Sequence, residues 1–180
     1  MQELSLNILD IVQNSVKAKA SLITIAVNED INADTLTITI ADNGCGMSEE
    51  TAKTAVDPFY TTRTTRRVGL GLPFIKMAAE MTGGSFSIQS ALGVGTTVTA
   101  VFGLRHIDRM PLGDMCSTML TLVSGSPQID FVYTHLNGEQ DFIMDTRQFK
   151  EILGDVPLNA PEILSFIKDY ISENDFPFVV

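Results

Sequence analysis

The chain has 180 residues, 44% of them apolar and 19% charged, which allows one ordinary domain, or one with a small appendage, and excludes an extended disordered segment. Its formal charge of −10 argues against a nucleic-acid backbone as main partner, because like charges repel along the whole approach. Cys45 and Cys116 are too few and too isolated for a disulfide framework or a zinc site, so both read as free thiols.

Residues 3–19 have helical periodicity, with Leu4, Ile8, Ile11, Val12 and Ser15 on the core face and Leu9 and Val16 beside it. Glu3, Asn7, Asp10, Asn14 and Lys17 recur every three or four residues and form a second, polar stripe. The alternating runs LITIAVN and TLTITIA then predict an antiparallel hairpin. Ser48 can cap a short helix ending near Val56. Residues 57–68, DPFYTTRTTRRV, have no period and read as a loop, in which Arg63, Arg66 and Arg67 concentrate positive charge. GLPFIKMAAEM resumes helical spacing and TGG closes it; SFSIQS and TTVTAVF, split by ALGVG, predict a second hairpin.

Residues 104–180 are expected as a separate small α+β unit of unknown role. Pro111 is read as the first residue of a helix, and Asn137-Gly138 as the two-residue turn of a hairpin in DFVYTHLNGEQDFIMDT. RQFKEIL and a segment from Pro161, capped by Asn159, supply two last helices. Helices segregated from mostly antiparallel strands predict an α+β two-layer sandwich. No apolar run approaches the roughly 20 residues that span a bilayer, and MQELSLNILD lacks the pattern of a secretory signal, so a cytoplasmic location is expected.

The chemistry concentrates at the end of the second strand, in ADNGCGM. A carboxylate there needs water, a cation or a donor, and Gly44 and Gly46 permit a sharp turn without side chains over a flat ligand. An aromatic ring bearing an exocyclic amine, adenine above all, suits that arrangement. Gly69 and Gly71 open a helix directly after the arginine-rich loop, where bare backbone can face phosphates. Asp10 and Asn14 lie one turn apart, so their oxygens can converge on one hydrated cation.

In order, DIVQNSVKAKAS, DNGCGM, DPFYTTR, GLGLPFIKMAAEMTGG and GVGTTV resemble the ATP-binding fold shared by DNA gyrase, heat-shock chaperone ATPases, sensor histidine kinases and mismatch-repair ATPases. This superfamily is known as GHKL and its fold as the Bergerat fold. The resemblance covers residues 1–103 and is closest to the kinase branch. It implies magnesium and ATP as cofactors, with Asn14 ligating magnesium, Asp42 accepting from the adenine amine, Gly44 and Gly46 shaping that pocket, and Thr96 supporting it. Gly69 and Gly71 would lie against the phosphates, under a lid over residues 59–68.

Two departures bear on activity. Arg67 stands where kinase lids usually carry another glycine, so a guanidinium can replace backbone contact with phosphate. Asp10 is a carboxylate where sensor kinases often have an amide, as in the hydrolysing branch and the anti-sigma-factor kinases, and can prepare a water or hydroxyl for attack. The long dimerising helix with its phosphorylated histidine is not seen before the first helix. His106, in HIDRMPL, only partly echoes a phosphoacceptor box, and His135 falls in a predicted strand. The expected function is magnesium-dependent phosphoryl transfer from ATP to a protein partner, with a nucleotide-responsive binding module or slow hydrolysis as alternatives, and an oligomer is possible.

Overall fold

The computed structural model describes residues 3–57 and 71–178. Its elements run α1 (Leu4–Lys17), β1 (Leu22–Asp30), β2 (Thr35–Asp42), α2 (Glu49–Ala55), α3 (Gly71–Met81), β3 (Ser85–Ala91), β4 (Gly95–Gly103), α4 (Met115–Gly125), β5 (Asp130–Leu136), β6 (Asp141–Asp145), α5 (Thr146–Leu153) and α6 (Pro161–Asn174). The strands form one sheet in the order β3-β4-β2-β1-β5-β6, antiparallel except where β5 runs parallel to β1. One face carries the buried residues Ile23, Ile25, Val27, Ile38, Ile40, Val98 and Phe131, which pack against the helices. This is the α+β two-layer sandwich.

Residues after 103 continue this sheet. Ile23, Ile25 and Val27 stand beside Phe131, Tyr133 and His135 in parallel register, and α4 and α6 residues join the same core cluster. Before α4 the chain is extended, because the carbonyls of Pro111 and Leu112 accept from the backbone N–H groups of Leu4 (3.0 Å) and Ser5 (2.7 Å). Those N–H groups open α1 and have no partner within the helix. Pro111 is therefore not the first residue of α4. That helix starts at Met115, capped by Asp114, which accepts from the Ser117 amide (2.8 Å) and hydroxyl (2.5 Å). Both bonds, the hydroxyl's first, hold the Asp114 carboxyl below its ordinary range.

Two more expectations shift by a residue. In the β5–β6 hairpin the Asn137 amide donates to the Gln140 carbonyl (3.2 Å), so the central turn residues are Gly138 and Glu139. Asn137 instead uses its side-chain oxygen to accept from the Glu139 and Gln140 amides. Ala160, without a side-chain bond, occupies the cap position of α6 expected for Asn159, and Pro161 follows as the first helical residue.

The far end of β1 holds a closed polar cluster. His135, fully buried, has Glu29 on one ring nitrogen (3.2 Å) and Asp175 on the other (2.7 Å), and stacks on Phe176 and Phe178 at 4.0 Å. The Tyr133 hydroxyl donates to Asp175, and burial pushes it far above the ordinary phenol range. Arg109 donates to the carbonyls of Leu104 (2.6 Å) and Met110 (3.1 Å); burial lowers its pKa, against the opposing charge of Glu29.

Candidate functional site

β2 ends at Asp42 because its neighbours turn it there. Asn43 accepts from the amides of Ser21 and Leu22 and donates to the Ser21 hydroxyl, tying the turn to the start of β1. The Cys45 amide donates to the Ala18 carbonyl at the end of α1, and the Gly93 amide donates to the Cys45 carbonyl. Cys45 is an exposed free thiol on this turn.

The glycines are demanded first by this close approach. Gly46 has φ +64, and a Cβ there would run into the Ala91 carbonyl; a Cβ on Gly44 would come within 2.8 Å of the Ala18 carbonyl. Bare backbone at Gly44 thus faces α1. Gly95, at φ +134, allows the β3–β4 turn to close on Asp42, whose carbonyl a Cβ would strike.

Asp42 is held on both oxygens. The Gly44 amide donates to Oδ1 (2.9 Å), and the hydroxyl of Ser15 on α1 donates to Oδ2 (2.6 Å). Each oxygen keeps lone-pair capacity for another donor. Thr96 is the cross-strand partner of Asp42, so both side chains lie on one face of the sheet, the face met by α1. The structure therefore brings Asp42, Thr96, Gly44 and Gly46 together, with Ser15 linking them to the helix that carries Asn14.

The polar stripe of α1 is open at its centre. Asp10 is exposed, Asn14 is half-buried, and neither side chain has a hydrogen bond or ion pair among the described residues. Asn7 is only 9% exposed, and its Nδ2 has no hydrogen-bond partner among the described residues. α3 begins against this stripe, since a Cβ on Gly71 would lie 2.9 Å from the Asp10 Cβ. Arg63, Arg66, Arg67 and Gly69 lie outside the described residues. Among those residues no group of three His, Cys, Asp or Glu side chains could hold a metal ion.

The family model for the histidine kinase-, DNA gyrase B-, and HSP90-like ATPase matches residues 2–106, more than half of the chain. The chain belongs to this ATPase family. A sensor protein of Shewanella frigidimarina is 35% identical over 59% of the chain, and the virulence sensor protein BvgS of Bordetella bronchiseptica is 24% identical over 81%. The chain spans only 17% and 12% of those two proteins. Among solved structures, the Aquifex aeolicus MutL ATPase domain complexed with ADP superposes with a TM-score of 0.55 at 12% identity, covering 94% of this chain and 88% of that one. That likeness shows the ATPase fold.

Neither histidine is brought to Asp42. His106 follows the end of β4 opposite Thr96, about 20 Å away at the rise of a β-strand. His135 has no exposed surface. Ser15 and Gly95 are the contributors that sequence reading misses. Ser15 looks like an ordinary core-face position, and its bond to Asp42 spans 27 residues, which no local pattern encodes.

Proposed function

We propose that this chain binds ATP with magnesium and transfers the terminal phosphoryl group to a protein partner in a regulatory system. The observation that carries this reading is the junction at Ser15. It bonds Asp42 while, among the described residues, its neighbour Asn14 and the nearby Asp10 keep unengaged oxygens on the same helix.

Asp42 would accept from the adenine amine, with Thr96 beside it and Gly44 and Gly46 holding the turn. Asn14 fits magnesium as a neutral oxygen donor that leaves most of the ion's water shell in place. Asn14 would hold the ion, whose positive charge would offset that of the phosphates. Asp10 would orient the attacking hydroxyl and take its proton, and its exposure suits a group arriving on a partner. Gly71 lets the start of α3 approach Asp10, and Gly69 would face the phosphates with it. Arg63, Arg66 and Arg67 would meet phosphate charge from the adjoining loop. Residues 1–103 would thus carry the nucleotide site, with 104–180 an α+β extension of its sheet. The remote His106 and buried His135 support an acceptor supplied by the partner.

No helix among the described residues is long and apolar enough to cross a membrane, and a cytoplasmic setting is part of this proposal. Asp10→Asn should lower phosphoryl transfer and hydrolysis by about 10²- to 10⁴-fold while calorimetry shows ATP affinity retained. Absence of turnover in the unmutated protein, with or without candidate partners, would instead favour a nucleotide-responsive binding module.

A further inference from the structure

Ser90 on β3 stands opposite Thr96 on β4, as Thr96 stands opposite Asp42 on β2, so the three side chains form a row across one face of the sheet. Around the Ser90 hydroxyl the structure places three partners. The Met47 amide donates to it (2.8 Å), the Gly95 carbonyl lies 3.0 Å away, and Thr96 Oγ1 lies 2.8 Å away. A carbonyl can only accept, so the Gly95 contact is a hydrogen bond only if it uses the single Ser90 proton. The Thr96 contact is then a hydrogen bond only if Thr96 donates. One proton arrangement satisfies all three contacts, and it turns the Thr96 proton inward to Ser90. Thr96 Oγ1 is left with lone pairs alone to offer a ligand. Its neighbour Asp42 is also an acceptor, held in orientation by Ser15 and the Gly44 amide.

We propose that Ser90 is a specificity-determining positioning residue that acts through Thr96: by taking the Thr96 proton it makes the base-facing row acceptor-only, selecting a nucleotide with an amino group on that edge and rejecting its keto counterpart. This rests on the reading of Asp42 as the acceptor of the base amine. A keto oxygen in that position would face lone pairs from both Asp42 and Thr96 with no proton between them. Such a mismatch of buried polar groups discriminates far more strongly than a change of shape does. Removing Ser90 frees the Thr96 hydroxyl to rotate and donate to a keto oxygen.

The test is calorimetry of the full chain with magnesium and either ATP or inosine triphosphate, which differs from ATP in the base edge alone. The wild-type chain should prefer ATP by about 100-fold or more. Ser90→Ala should narrow that preference about tenfold, chiefly by improving inosine triphosphate binding, whereas Ser90→Thr, which keeps a hydroxyl, should restore it. The Ser90→Ala/Thr96→Val double variant should regain a wide preference, because no hydroxyl remains to donate. The proposal is overturned if Ser90→Ala weakens both nucleotides equally, if it leaves their ratio unchanged, or if the double variant is as permissive as Ser90→Ala. Thermal melting of each variant identifies any failure to fold, in which case the wild-type ratio decides, and equal affinity for the two nucleotides sinks the proposal. Failure of the underlying reading is distinct: Asp42→Asn would then bind ATP as well as the wild type does, or no nucleotide would bind at all.

Discussion

At the β3-β4-β2 end of the sheet, Asp42 and Thr96 keep unfilled lone pairs, and among the described residues Asp10 and Asn14 make no side-chain bonds and the buried Asn7 Nδ2 has no partner. At the β1-β5-β6 end, both nitrogens of His135 meet carboxylates, Tyr133 bonds one of them, and two phenylalanine rings cover the imidazole. One sheet thus holds a polar region left open beside one fully closed. A buried polar group without a partner costs stability, so the Asn7 amide signals a demand other than folding, whereas the closed cluster is satisfied within the chain.

The largest effect that would sharpen this contrast is at the closed end. His135→Ala removes one partner from each of two carboxylates, one of them, Glu29, only 2% exposed, together with the ring stacked on Phe176 and Phe178, and should destabilise the chain by about 3–5 kcal/mol in a urea titration. ATP affinity of the folded fraction should not move. A smaller effect of opposite sign is expected at the open end, where Asn7→Leu removes the orphaned amide and should stabilise the fold by roughly 1–2 kcal/mol. Turnover should fall in the same variant; a stabilised variant with full turnover would break the contrast.

Asp114→Ala, at the cap of α4, should cost about 1 kcal/mol at neutral pH. Because folding lowers the Asp114 pKa, its contribution is complete above the ordinary carboxylate value and is lost as pH falls through the lowered one. Wild type and variant should therefore converge in stability in acid, as paired thermal melts would show. Smallest of all, Glu49→Gln breaks an exposed pair with Lys53 (side chains 83% and 73% exposed) and should leave the melting temperature unchanged.

Much of this protein was legible residue by residue. The period of α1, the alternation of β1 and β2, and the glycines around Asp42 are local signals, because backbone geometry repeats over a few residues. The ordered motifs likewise indicated the ATPase family before any contact was known. Local patterns misjudged positions where a distant partner intervened. Asn7 looked like one member of a polar stripe and is buried; Pro111 looked like a helix start and instead supplies a carbonyl to α1.

The sequence by itself determined the elements and their polar and apolar faces, since these follow from spacing along the backbone. Tertiary structure alone decided that β5 lies parallel to β1, that Ser15 holds Asp42, and that His135 meets Glu29 across 106 residues. Those pairings depend on which faces are buried against each other. Burial is a property of the whole packed chain, so no short window of sequence contains it.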